Sequence, residues 1–206
     1  MTSYGIRVMP IVALGILLAL LALPVDAQAK DPIGQVVKQS GLVTAVNEGR
    51  ARALSLGDPI YEGDRVRAEY QVAIHLQDGS VLVLGAATEA DVSQLALQPD
   101  RRQGVLSLID GILRLLLAPG APADVKISTE QAVAAARSTD WVVMRNVDGT
   151  AVFVVAGQVA VDGRVGGSVL LNAGDGTDVR PGAAPTPVAA WGAPRVQAAL
   201  ARVPLP

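Results

Sequence analysis

The stretch GDPIYEGDRVRAEYQVAIHLQDGSVLVL, residues 57–84, decides the fold class. Two Gly-Asp pairs six residues apart, Gly57-Asp58 and Gly63-Asp64, bracket a short apolar segment and set two tight corners. Asp78-Gly79-Ser80 then turns the chain between residues 72–77 and 81–84. Asp-Gly between alternating apolar runs is the strongest short hairpin signal, because glycine takes positive φ with no Cβ clash. In residues 72–77 the apolar Val72, Ile74 and Leu76 share one face, with Gln71, Ala73, His75 and Gln77 opposite. That is the period of a half-buried strand. No residue of this stretch is an evident catalyst.

The same grammar runs outward in both directions. Asp-Gly recurs at Asp110-Gly111, Asp148-Gly149, Asp162-Gly163 and Asp175-Gly176, with further breaks at Gly49 and Gly157. Between the breaks lie runs of strand length at residues 35–39, 42–46, 65–69, 105–109, 112–117, 125–128, 141–146, 150–155, 158–162 and 168–172. Many short strands with turn chemistry between them predict an all-β fold of stacked strands, solenoid-like or sandwich-like. Residues 111–117 are apolar on both faces apart from Arg114, which predicts a strand sandwiched between layers, with a surface presented to a partner as the alternative. The Ala-rich segment 131–137 would be helical by propensity. Its β-like neighbours predict instead a strand at a tightly packed place where only small side chains fit.

The ends differ from the middle. Arg7 is the only charge ahead of an apolar run at residues 8–23, and small residues follow at Ala27 and Ala29. This is the layout of a secretory leader cut after Ala27 or Ala29, so the chain is expected to be periplasmic or secreted; the alternative is a retained single-span anchor, and membrane contact is expected only through an uncleaved leader. Cleavage after Ala29 leaves 177 residues, enough for one core without staples. With no cysteine, disulfides, thiol catalysis and thiolate metal sites are excluded together. From residue 181 six prolines interrupt any ladder, and the expectation is a Pro/Ala-rich tail with one short helix at residues 195–203, aligning Val196, Leu200 and Val203. The expected divisions are therefore a leader at 1–29, a β domain at 30–180 and a tail at 181–206.

Six pieces occur in one order across roughly Gly34 to Gly174: GQVVKQSGLVTAV, the stretch ending DGSVLVL, GVLSLIDGILRLLL, VKISTEQAVAAARSTDWVV, DGTAVFVVAGQVAVDG and VLLNAGDGTDV. Together they resemble the FecR family, named for periplasmic regulators of iron-dicitrate uptake. The resemblance implies an all-β domain of stacked strands working outside the cytoplasm, in relays between an outer-membrane receptor and a cytoplasmic sigma factor. Full regulators carry an N-terminal sigma-binding segment and then a membrane span. Here only Met1–Arg7 precede the apolar run, so no direct binding of a sigma factor is expected. The family's usual Gly-Thr after the VKIST strand is replaced by Ser138-Thr139-Asp140-Trp141.

Candidate chemistry is sparse. His75 is the only histidine and sits on the polar face of a strand, which predicts an exposed strand residue rather than a ligand or base. Asp58, Asp64 and Asp78 each adjoin a glycine, where a carboxylate bonds the local backbone; with Gly57, Gly63, Gly79, Asp148 and Gly149 they are read as structural turn residues. Asn172–Asp178 is a single calcium-repeat-like copy without a period, hence a turn. Ser138–Trp141 lacks a nearby histidine and a Gly-x-Ser-x-Gly elbow, so it is read as a turn, with Trp141 the candidate partner contact. No catalytic, cofactor or metal site is expected. A net charge of −2 gives no footprint for nucleic acid, and 3% aromatics disfavour a stacking platform for sugars. The sequence thus predicts a non-enzymatic module for an unknown envelope protein, in sensing or assembly, with a binder of envelope polysaccharide or peptidoglycan as the alternative.

Overall fold

The computed structural model describes residues 31–97, 102–120, 124–137 and 139–206. The leader and Ser138 lie outside the described residues. The chain forms, in order, β1 (Pro32–Ser40), β2 (Val43–Asn47), β3 (Arg50–Ala53), β4 (Pro59–Tyr61), β5 (Arg65–Ala68), β6 (Gln71–Leu76), β7 (Val81–Leu84), β8 (Thr88–Leu97) and β9 (Arg102–Leu116). There follow β10 (Asp124–Ser128), β11 (Ala132–Ala136), β12 (Asp140–Asn146), β13 (Gly149–Ala156), β14 (Gln158–Gly163), β15 (Ser168–Asn172), β16 (Asp175–Val179), β17 (Ala189–Ala190) and α1 (Ala193–Arg202). The fold is all-β. No helix among the described residues is long and apolar enough to cross a membrane.

The strands make two layers. One sheet runs β4-β1-β6-β7-β9-β12-β13-β16-β17, antiparallel throughout. The other runs β3-β2-β5-β8-β9-β10-β11-β14-β15, antiparallel except for the β9–β10 pair. Hairpins alternate between the layers, so the winding is solenoid-like and the packing sandwich-like. A single apolar core fills the space between, with Ile60, Ile74, Leu82, Leu113 and Trp141 from the first sheet meeting Val66, Leu95, Leu106, Ile127 and Val161 from the second.

Strand β9 joins the layers, and it corrects the expected corner at Asp110-Gly111. The two runs flanking that pair are one strand, which pairs with β8 up to Asp110 and with β12 from Gly111 onward. Gly111 is the crossing point: its φ is +98°, and a Cβ there would lie 2.4 Å from Thr88 Oγ1. The Thr88 hydroxyl fixes the bend, accepting from Ile112 N at 3.0 Å and donating to Ile112 O at 3.1 Å. Asp175-Gly176 is not a corner either. It lies in β16, and the reversal falls at Gly174, whose φ is +89°. Gly176 is small because the Trp191 indole rests against it, 2.2 Å from where a Cβ would sit.

The Ala-rich segment is strand β11, with Ala132, Ala134 and Ala136 facing the core. The sandwiched reading of residues 111–117 also holds. Leu113, Leu115 and Leu117 enter the main core, while Ile112 enters a second cluster on the outer face of the first sheet. What covers that face is the C-terminal segment. Val203 is fully buried against Ala73, Val83, Ile112 and Val142, with Leu200 and Leu205 beside it. Residues 181–206 are therefore a strap on the sandwich, which corrects the expected tail. Thr186 bonds Asp178 N and Thr177, β17 pairs with β16, and Trp191 stacks on Phe153 with ring centres 5.1 Å apart.

Candidate functional site

Two polar constructions stand out: one stabilises a corner and the other lines a groove. The first grows from the Gly63-Asp64 pair. Asp64 is completely buried and accepts from Arg52 Nη1 at 2.9 Å, Arg52 Nη2 at 2.5 Å, Asn47 Nδ2 at 2.9 Å and the Tyr61 backbone N–H at 2.9 Å. Its hydrogen bond raises the Arg52 guanidinium above its ordinary value, against the effect of burial. A buried carboxylate with every lone pair occupied is a structural clamp. Asp58 and Asp78 are simpler, accepting from Ser55 N at 2.8 Å and Ser80 N at 2.9 Å. At the Asp148-Gly149 turn it is the Asn146 carboxamide that accepts, from Asp148 N at 2.9 Å. Gly149 has φ +137°, and a Cβ there would lie 2.3 Å from Val179 O, so the position needs glycine on both counts.

The second construction is a groove of about 540 Å³ at one end of the first sheet, where the β12–β13 turn, the β9 crossing, the end of β16 and α1 converge. Four arginines line it: Arg145 from β12, Arg180 just after β16, and Arg195 and Arg202 from α1. Two are committed. Arg195 grips Asp178 through two bonds, at 3.0 and 2.5 Å, and lies 3.5 Å over the Trp191 ring. Arg145 holds Glu130 at 2.5 Å and approaches Asp110 at 3.6 Å. That guanidinium, helped by the Gln131 side chain, lowers the Glu130 carboxyl below its usual value. Among the described residues, Arg180 and Arg202 have no carboxylate partner, and the exposed Asp148 carboxylate has no cation. Arg202 reaches only the Met144 sulfur, at 4.0 Å, so two guanidiniums without a carboxylate against one carboxylate without a cation leave the groove with a positive excess.

The residues read from the sequence fall elsewhere. His75 is exposed on β6. Trp141 is fully buried in the main core, which corrects its reading as a partner contact, and Asp140-Trp141 begins strand β12 rather than forming a turn. Asp140 instead forms a two-point pair with Arg114, at 2.8 and 2.6 Å, on the outer face of the first sheet. Arg195 and Arg202 were missed because residues 181–206 read as tail. Arg195 and Arg202, seven apart, fall on one helix face, and that spacing was the available signal. Among the described residues no group of histidine and carboxylate side chains is placed to hold a metal ion.

The family model described as "FecR protein" matches residues 64–160, which span β5 to the middle of β14. No curated protein matches the chain. Two crystal structures of a candidate anti-sigma factor from Parabacteroides distasonis ATCC 8503, at 1.65 and 2.50 Å resolution, superpose with a TM-score of 0.52 at 18% identity, covering 63% of this chain. The likeness is one of fold, and this chain spans 60% of that protein's length.

Proposed function

We propose that this chain, which carries a FecR-family domain over residues 64–160, is an exported, non-enzymatic interaction module that acts in cell-envelope signalling or assembly by binding a protein partner. A regulatory role fits both the domain and the fold shared with a candidate anti-sigma factor. The observation that carries the reading is the groove between the FecR-type sheet and the C-terminal strap. Arg180 and Arg202 there offer guanidinium forks to carboxylates of a partner segment, and paired arginines on either side hold the walls in place. Among the described aromatics only Tyr70 is largely exposed, at 57%, a thin platform for a sugar, and this favours a protein. Trp141 is buried, and Trp191 is taken up by Phe153 and Arg195.

The test is affinity capture of the tagged chain from envelope extract beside an Arg180→Glu/Arg202→Glu variant. One defined envelope protein is expected with the parent and is lost with the variant. Capture of nothing at any salt concentration, or equal capture by both, would overturn the reading.

A further inference from the structure

Every open sheet has two edges, and a long uncharged edge recruits another strand. Among the described residues the sandwich has four such edges, and three are blunted. Strand β4 has three residues and starts with Pro59; β17 has two and follows Pro187; β3 carries Arg50 and Arg52. Strand β15 is different. Its five residues, SVLLN, carry no charge and no proline, and it pairs on one side only, with β14.

The open side can be read residue by residue. Gly163 N donates to Gly167 O across the β14–β15 turn, so alternate pairs Val161–Val169 and Val159–Leu171 exchange the ladder bonds. The N–H and C=O groups of Ser168 and Leu170 then point away from β14. Among the described residues no second strand meets them. The Asn172 N–H is already held by Asp175 Oδ2 at 3.0 Å. Leu170 is 51% exposed and Val165, in the adjoining turn, 62%.

We infer that β15 is the seat of a twofold dimer, in which it pairs antiparallel with β15 of a second copy about an axis at Leu170. The strand is chemically palindromic: a polar residue at each end, three apolar residues between. In this register Leu170 meets Leu170 of the second copy and exchanges two backbone bonds. Each Ser168 N–H reaches the carbonyl of Asn172 in the other copy, adding two more. No like charges oppose one another, and the second sheet continues across the axis. One short strand a side buries less than a standard interface, so dissociation in the micromolar range is expected, about 1–100 µM. This inference goes beyond the proposed function and does not depend on it, since it needs no envelope partner.

The chain has no cysteine, which makes a thiol reporter clean. Directly opposed residues in a bonded antiparallel pair have Cα atoms about 5.5 Å apart, within disulfide reach. The full chain carrying Leu170→Cys is therefore expected to oxidise to a covalent dimer. A Leu56→Cys control, more exposed than Leu170 and outside β15, is expected to stay monomeric. Sedimentation of the parent should show a concentration-dependent dimer, at least about tenfold weaker in Leu170→Lys. A parent monomeric up to about 100 µM, a dimer of unchanged affinity in Leu170→Lys, or equal crosslinking at positions 56 and 170 would each overturn the proposal.

Discussion

Replacing Asp64 with alanine tests whether the buried clamp, rather than the turn beside it, holds the β3–β5 corner. Asp64 is fully buried and receives four hydrogen bonds, two of them from one guanidinium. Deleting one member of a buried ion pair costs about 3–5 kcal/mol, because the other charge is left without its partner. The Arg52 side chain is 32% exposed and recovers water, which places the loss at the low end, about 3 kcal/mol. For a domain of this size that is a fall in Tm of roughly 6–12 °C. Asp58→Ala removes one bond from Ser55 N at a partly exposed site and should cost about 1 kcal/mol or less. Urea titration followed by circular dichroism measures both, and Arg52→Ala with the double variant closes a cycle whose coupling should exceed about 1 kcal/mol. If Asp64→Ala lies within about 0.5 kcal/mol of the parent, or matches Asp58→Ala, the clamp argument fails.

Three further outcomes follow from the same contacts. Val203→Asp places a carboxylate at a fully buried site on the outer face of the first sheet, so the strap should detach; trypsin should then cut at Arg195 and Arg202 at least about tenfold faster than in the parent. Gly176→Ala should cost about 1–3 kcal/mol in urea unfolding, since the new Cβ collides with the Trp191 ring, and the Gly176→Ala/Trp191→Ala double variant should lose less than the sum of the two single losses. Arg145 lowers the Glu130 carboxyl in the folded chain, so its contribution to stability is present above the usual value of 4.5 and is lost as pH falls through the lowered value. The stability gap between the parent and Glu130→Gln should accordingly be flat near neutrality and shrink below about pH 4.5, and a gap that stays constant into acid would refute the pairing.

The repeated Asp-Gly signal was legible as a signal and ambiguous in its outcome. Asp78-Gly79 and Asp148-Gly149 close hairpins, because a bonded strand lies on each side of the pair. Asp110-Gly111 instead lets one strand pass between layers, and Asp175-Gly176 makes room for an indole contributed from fifteen residues further on. Glycine states that a Cβ is unwelcome; it does not say whether a turn, a crossing or a packed ring is the cause. Strands β3, β4 and β8 escaped the reading for a related reason. Arg52 in β3 serves the buried Asp64 beside β5 while Arg50 is exposed, so a polar strand hides behind its charges.

The C-terminal strap was least legible, and the groove depends on it. Six prolines correctly forbid a ladder from residue 181 onward, but they do not forbid packing. The binding partner of Val203 is the outer face of a sheet whose residues Ala73, Val83, Ile112 and Val142 come from four strands far away in sequence. Of these only Ile112 lies within residues 111–117, whose two apolar faces were visible, and a doubly apolar strand requires a second cover. The chain supplies that cover itself, and in doing so brings Arg195 and Arg202 beside Arg145 and Arg180. Strap attachment and groove formation are thus one event, so a variant that frees the strap should abolish partner capture even with every arginine in place.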